Sequence, residues 1–296
     1  MKITTLLDVE AGRSRRVAVG TFDGVHLGHR EVIEGSDSVR TFEPHPVSVV
    51  APQHTPRLLT TLPRKAELIA SLGVAELIVI PFEEAFAACS AESFIDDVLV
   101  GALSATQVAI GENFRFGHRA TGDPALLAGD GRFHTVVHPL LEVEGEIVSS
   151  SHIRGLVLAG EIEQANRLLG APFQLAGVVS HGDARGRQLG FPTANLIPDE
   201  TLACPGHGVY ACRVSAGPQA GLSAAVNIGV RPTFATGRGE LIEAYILDFE
   251  GDLYGSVLAL EFLARLRGER RFESAQALVE QMHADVELTR EIAAGA

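Results

Sequence analysis

The 296-residue chain has no tryptophan, three cysteines and two methionines. Cys89, Cys204 and Cys212 are an odd number and form no C-x-x-C pair, which excludes a disulfide framework and a zinc ribbon. Long hydrophobic runs are missing too. Stretches such as Leu77-Ile78-Val79-Ile80 fall far short of the ~20 residues that span a bilayer. Met1-Lys2-Ile3-Thr4-Thr5 lacks the apolar core of a signal peptide. Positive charge is scarce: 24 Lys+Arg face 37 Asp+Glu, a formal net charge of −13. Nucleic acid and anionic membranes both need a basic surface, so neither is an expected partner. A local cationic pocket for a small phosphate ligand remains compatible with that balance. These shortages predict a cytoplasmic protein and say nothing of its reaction.

What is present fits an ordinary globular chain, with 46% hydrophobic and 21% charged residues, enough apolar content to offset the entropy of ordering. The length predicts about two domains. In the first half, β-rich runs (Arg15 to Gly20, Leu77 to Ile80, Gln107 to Gly111) alternate with helical spacing over Pro63 to Leu72 and Ser93 to Leu103. Near-continuous apolar strands between helices predict an α/β domain with a parallel sheet covered on both faces. Ligands of such sheets sit beyond the carboxyl ends of strands, so the loops after Val19 and Ile110 are the expected sites. A helical stretch from Arg154 to Leu169 stops at Gly170-Ala171-Pro172. Beyond it, short strands at Leu175–Ser180, Gly208–Val214, Ala244–Asp248 and Val257–Phe262 predict an antiparallel barrel or sandwich. A last helix from Ser274 to Ile292 carries Leu278, Met282, Val286 and Thr289 on one face, with Ser274 as N-cap. The boundary is placed after residue 171, giving domains 1–171 and 172–296. The chain shows neither an internal repeat nor a low-complexity tract.

The densest motif is Gly20-Thr21-Phe22-Asp23-Gly24-Val25-His26-Leu27-Gly28-His29, between a strand and a helical pattern. A helix start favours an anion, Gly24 and Gly28 allow close backbone approach, and His26 and His29 share one face of the first turn. Two imidazoles there suit a phosphate and the charge that develops in an in-line displacement. A metal pair or two buried structural histidines are the alternatives. A zinc site would need further ligands, and none is spaced for it.

This H-x-G-H signature resembles the nucleotidylyltransferase superfamily. Thr41-Phe42-Glu43-Pro44-His45-Pro46, Gly111-Glu112-Asn113-Phe114-Arg115-Phe116-Gly117 and Ser149-Ser150-Ser151-His152-Ile153-Arg154 narrow the likeness. Together, in this order, they resemble the FMN adenylyltransferase module of bacterial bifunctional riboflavin kinase/FAD synthetases, across essentially the whole first half. The resemblance implies a Rossmann-like domain that transfers AMP from ATP to FMN with release of pyrophosphate. His26, His29 and Arg154 would be catalytic. Gly20, Phe22, Asp23, Gly24, Gly28, Ser150 and Ser151 would hold ATP phosphates, and Asn113 and Arg115 the flavin. Asn113 offers a donor and an acceptor to the ring edge, or else makes a local turn. Arg115 is equally readable as a solvated loop charge. The Ser149-to-Arg154 stretch suits a leaving pyrophosphate, or simple N-capping by a serine. Ser151 stands where the family pattern usually has Thr, which keeps the hydroxyl. One departure is larger: only Arg30 to Arg40, interrupted by Gly35-Ser36-Asp37, stands where the family has a longer helix. The crossover of about a dozen residues that a parallel pair needs still fits within Thr21 to Ser38.

A second constellation is Gly182-Asp183-Ala184-Arg185-Gly186-Arg187-Gln188-Leu189-Gly190-Phe191-Pro192-Thr193-Ala194-Asn195. It is no P-loop. Gly182, Gly186 and Gly190 with Arg185 and Arg187 make a cationic flap for phosphates. Thr193 and Asn195, two apart and on one face if extended, are oxygen ligands suited to Mg²⁺ shared with ATP. A glycine-rich turn with incidental arginines is the alternative. The segment resembles the riboflavin kinase signature, supported by Gly208 to Ala211, Asn227 to Phe234, Glu243 to Phe249 and Asp252 to Gly255. The resemblance implies an antiparallel β-barrel riboflavin kinase domain with a terminal helix. Glu243, read as beginning its strand, would be the general base that accepts the ribityl 5′-hydroxyl proton, or else a surface carboxylate. Phe272, with the Arg265-to-Arg271 cluster, would border the riboflavin pocket, or belong to a solvated basic loop.

The expectation is a bifunctional enzyme using riboflavin, FMN and ATP. A monofunctional riboflavin kinase with an inactive N-terminal module, and a silent flavin-binding protein, are the two alternatives.

Overall fold

The computed structural model describes residues 1–181, 190–217, 219–230 and 240–295, and its contacts divide the chain into two compact units, Met1–Ser150 and Ser151–Ala296. Of the residues singled out above, Gly182, Arg185, Gly186, Arg187 and the Arg231-to-Phe234 stretch lie outside the described set.

The first unit is built on six parallel strands: β1 (Lys2–Thr5), β2 (Arg15–Val19), β3 (Ser38–Glu43), β4 (Glu76–Pro81), β5 (Ala105–Gly111) and β6 (His134–His138). They lie in the order β1-β4-β3-β2-β5-β6. β7 (Glu142–Val143) and β8 (Glu146–Ile147) form a separate ribbon. Alternation of side chains across the sheet explains the doubly apolar strands. Val17, Val19, Ile78, Ile80, Val108 and Ile110 point to one core, while Ala18, Val39, Leu77 and Ala109 point to another. The first core is closed by α4 (Glu84–Ala87) and by α5 (Ala91–Ser93), which continues over Phe94–Ala102 as a π-helix. The second is closed by α1 (Leu27–Ile33) and α3 (Leu62–Ser71). Between those two helices lies α2 (Pro46–Val50), and α6 (Pro124–Ala128) precedes β6. α1 has seven residues, and it returns the chain to a strand parallel to β2.

At the amino end of β2, Arg15 and Glu76 are both fully buried and paired at 2.8 Å. The guanidinium also donates to the carbonyls of Leu103, Arg13 and Glu10. Such a pair adds little net stability over apolar residues, but breaking one side of it costs about 3–5 kcal/mol.

In the second unit, α7 (Ser150–Ala159) begins at the unit boundary and is followed by α8 (Ile162–Leu169). The single helix expected over Arg154 to Leu169 is thus two. The chain breaks at Gly160, whose φ is +80°. A Cβ there would stand 2.6 Å from the Tyr210 hydroxyl, so glycine is required on both counts. α8 ends as expected, at a left-handed Gly170.

Six antiparallel strands then close a barrel in the order β10-β13-β12-β11-β14-β9. They are β9 (Phe173–Ser180), β10 (Ala194–Pro198), β11 (Gly208–Ala216), β12 (Ser223–Val230), β13 (Glu240–Ile246) and β14 (Val257–Arg267). Tyr210, Val226 and Ala244 form one fully buried interior rung. Residues one position along each strand face outward by the two-residue period. α9 (Ala275–Ala294) starts at Ser274, whose hydroxyl accepts the Ala277 N–H at 3.1 Å. Its Val286, Val279 and Met282 pack with Phe191, Leu247 and Tyr245.

Candidate active sites

In the first unit, β2 ends at Val19 and the chain turns through Gly20 to His26 into α1. Phe22, Gly24 and Val25 take φ values of 50°, 87° and 43°. For the two non-glycine residues this conformation costs of order 1–3 kcal/mol each and persists only where the surroundings enforce it. The surroundings are hydrogen bonds from three other segments. The Asp23 carboxylate accepts the N–H groups of Leu59 (2.8 Å) and Thr60 (3.1 Å). Gly24 N–H donates to the Thr60 hydroxyl at 3.1 Å. The Thr41 hydroxyl donates to the Thr21 carbonyl, and the Ser150 hydroxyl to the Asp23 carbonyl, each at 2.9 Å. Asp23 and Ser150 therefore organise the turn through contacts of their own.

His26 is the N-cap of α1, its Nδ1 accepting the His29 N–H at 3.2 Å. With Nδ1 assigned as acceptor, the neutral ring carries its proton on Nε2, ready to donate. The His29 ring stacks on it with centroids 3.5 Å apart and meets Phe22 edge-on at 5.3 Å. Burial lowers the pKa of His26 to about 4. His29 is lowered well below its ordinary value, by burial first and then by His26 and Lys65. Both imidazoles are consequently neutral donors near pH 7, and His29 Nδ1 is buried with no hydrogen-bond partner among the described residues.

A cavity of about 900 Å³ opens beside these rings at the carboxyl ends of β2, β3 and β5. Gly20, Phe22 and His29 line one side, Phe42, His45 and Phe86 another, and Asn113 and Arg115 a third. This is where the sheet order reverses, the usual ligand crevice of an open α/β sheet. Asn113 and Arg115 are exposed, and Arg115 donates to the Phe114 carbonyl at 3.0 Å. Gly28 lies inside α1, where a Cβ would meet His26 Nδ1 at an ordinary 3.5 Å. Ser151 and Arg154 lie on α7 and group with the second unit, Ser151 exposed and Arg154 partly buried.

Three residues around this turn escaped sequence reading: Thr41 as a hydrogen-bonding group, Thr60 and Lys65. Lys65 had left a signal. Leu62, Lys65, Ala66 and Ile69 fall at i, i+3, i+4 and i+7, so a lysine occupies an apolar-stripe position of α3. It is buried, and its ammonium donates to the Thr41 hydroxyl at 3.4 Å.

In the barrel, Glu243 is the fourth residue of β13 and not its first, because the strand already begins at Glu240. Asn195 of β10 lies directly opposite it on one side and Asn227 of β12 on the other. Cross-strand partners have Cβ atoms about 4.5–5.5 Å apart, so the three form one polar rung on the outer face. Asn195 is buried and Glu243 and Asn227 are half-buried. Thr193 precedes β10 by one residue and is partly buried. Asn227 is the fourth residue that sequence reading missed. Its signal was an asparagine inside an apolar alternating strand, where the residue is disfavoured. Tyr245, next on the outer face, meets the Phe191 ring at 5.1 Å, and Phe191 meets His283 at 5.0 Å. Gly190, before Phe191, has a φ of +88° and open space where a Cβ would stand. Phe272 lies beneath the guanidinium groups of Arg270 (5.0 Å) and Arg267 (5.6 Å), and Arg267 pairs with Asp285 at 2.8 Å.

Comparison with known proteins follows the same division. Residues 9–152 match the family model described as FAD synthetase and residues 169–293 the one described as riboflavin kinase. The chain is 37% identical over 287 residues to the bifunctional riboflavin kinase/FMN adenylyltransferase of Listeria monocytogenes, covering 93% of this chain and 91% of that protein. It is 36% identical over 284 residues to that of Bacillus subtilis, covering 91% and 89%. A crystal structure described as a macrolide-efflux protein from Streptococcus pneumoniae superposes with a TM-score of 0.88 at 30% identity, covering 98% of this chain and 99% of that one. Among the described residues here, no helix is long and apolar enough to cross a membrane.

Proposed function

Because the chain belongs to the family of bifunctional riboflavin kinase/FMN adenylyltransferases, we propose that each unit runs one of the two reactions on the residues just described. In the barrel unit, Glu243 accepts the proton of the ribityl 5′-hydroxyl as that oxygen attacks the γ-phosphorus of ATP. The bond from γ-phosphorus to the bridging oxygen breaks, and ADP leaves with FMN as product. Phosphoryl transfer is mainly positioning and charge neutralisation, which falls to Thr193, Asn195 and the glycine-rich segment from Gly182 through Arg187 to Gly190. Thr193 and Asn195 offer only oxygen donors, a set that fits a hard cation such as Mg²⁺ shared with nucleotide phosphates. Bound there, Mg²⁺ would neutralise charge on the phosphate chain.

In the α/β unit, a phosphate oxygen of FMN attacks the α-phosphorus of a second ATP. The bond to the β-phosphate oxygen breaks, pyrophosphate leaves, and AMP is joined to FMN as FAD. His26 Nε2–H and the His29 ring donate to phosphate oxygens as neutral groups. Asn113 and Arg115 hold the flavin, the apolar wall of Phe42 and Phe86 excludes water, and Ser150 serves the leaving pyrophosphate. A protein of this chemistry, with three free thiols, belongs in the cytoplasm.

The observation that carries this reading is that His29, stacked on His26, lines a cavity of about 900 Å³, large enough for a nucleotide and a flavin ring together. It favours two activities over a kinase with an inert first unit. The test is a time course of purified protein with riboflavin, ATP and Mg²⁺, resolving riboflavin, FMN and FAD by chromatography. FMN that rises and then gives way to FAD is expected. FMN accumulating without FAD, even when FMN is supplied directly, would leave a kinase alone.

A further inference from the structure

The two imidazoles of the α/β site are neutral, so the positive charge that a transferring phosphate needs has to come from another group. Two buried cations stand near the turn. Arg40 on β3 is enclosed by Phe94, Phe42 and Phe86, with centroids 4.3, 4.7 and 5.6 Å from its guanidinium carbon, and spends its charge on those rings. Lys65 has no such cage. Its ammonium makes one long hydrogen bond, to Thr41, and no ion pair among the described residues. Asp23 and Glu43 face it from beyond ion-pair distance, and burial outweighs them in lowering its pKa. It stands close enough to His29 to depress that imidazole. The chain just before its helix is tied to the turn, Leu59 and Thr60 to Asp23, and its hydrogen-bond partner Thr41 is held by the Thr21 carbonyl. A desolvated cation whose carboxylate neighbours, Asp23 and Glu43, stay beyond ion-pair distance is only partly compensated, and is a place prepared for an anion.

We propose that the Lys65 ammonium is the fixed positive charge of the AMP-transfer site, set to meet the negative charge gathering on the α-phosphate oxygens as FMN attacks. The proposal rests on the adenylyltransferase reading of the first unit. It makes Lys65 a catalytic residue that acts on the transition state more than on bound substrate.

The test uses the full chain with ATP and FMN, comparing wild type with Lys65→Met and Lys65→Arg. Loss of one preorganised donor at a developing charge lowers kcat by about 10²- to 10³-fold. Lys65→Met should show that loss with the KM for FMN within about threefold of wild type, and Lys65→Arg should recover part of kcat by keeping the charge. Thermal unfolding of the Met variant should match or exceed wild type, since an unpaired buried charge gives way to an apolar chain. A Met variant with wild-type kcat would overturn the proposal. So would a Met variant that loses its fold, which would make the ammonium structural. Wild-type protein that makes FMN but no FAD would overturn the transferase reading itself and this role with it, a result distinct from the other two.

Discussion

Replacing Glu243 by Gln separates the two reactions most cleanly. The substitution keeps the side chain's shape and its capacity to hydrogen-bond with Asn195 and Asn227 on the flanking strands, while removing the site that takes the proton. General-base catalysis contributes about 10²- to 10⁴-fold, which converts to roughly 3–5 kcal/mol in the barrier. A surface carboxylate without a catalytic task would change matters by no more than about 0.5 kcal/mol. The two readings therefore differ by well over tenfold in rate, beyond the scatter of an initial-rate assay. Riboflavin phosphorylation should fall by that factor, measured as FMN formed per minute at saturating ATP. AMP transfer to supplied FMN should stay at wild-type rate, because its imidazole pair and cavity are built from the other unit. Near-normal FMN formation would remove Glu243 from the mechanism. Equal loss of both activities would mean that the variant had damaged the fold.

His29→Ala should do the converse, suppressing FAD formation from FMN and ATP while FMN formation from riboflavin continues, as chromatography of the two assays will show. Acid should destabilise the first unit through His26. Its unfolded-state pKa of 6.5 lies above a folded value of about 4, so the unfolded chain takes up the proton first and stability falls between these two pH values. The full effect is about 3 kcal/mol. Denaturant titrations at pH 7 and pH 4 should show it, and His26→Gln should reduce the difference, leaving the part that comes from His29.

Much of the architecture was readable in advance because strands such as Val17 to Val19 are buried on both faces and must be apolar throughout. Ser274 and Gly170 likewise announced helix ends through local chemistry. The residues that escaped were those whose meaning is set by distant neighbours. Asn227 matters through Glu243, reached only by strand pairing. Thr60 reads as an ordinary residue before a helix until Gly24 and Asp23 are seen to bond to it. The break at Gly160 depends on the Tyr210 hydroxyl, fifty positions on. Lys65 was the exception, visible as a cation in an apolar stripe.

The sheet order of the first unit also sets a timetable for synthesis. β2 lies at its centre, and Val17 pairs with Ser38 on one side and with Val108 on the other. At about 5–20 residues per second, the strand carrying Val17 waits roughly 5–18 s for its second neighbour to be made. Until then its apolar residues have cover on one side at most. A nascent chain with such a wait is a natural client for a chaperone at the ribosome. The barrel imposes a wait of much the same length, since β9 pairs with β10 early but has Phe173 opposite Phe262 of β14, about 90 positions on.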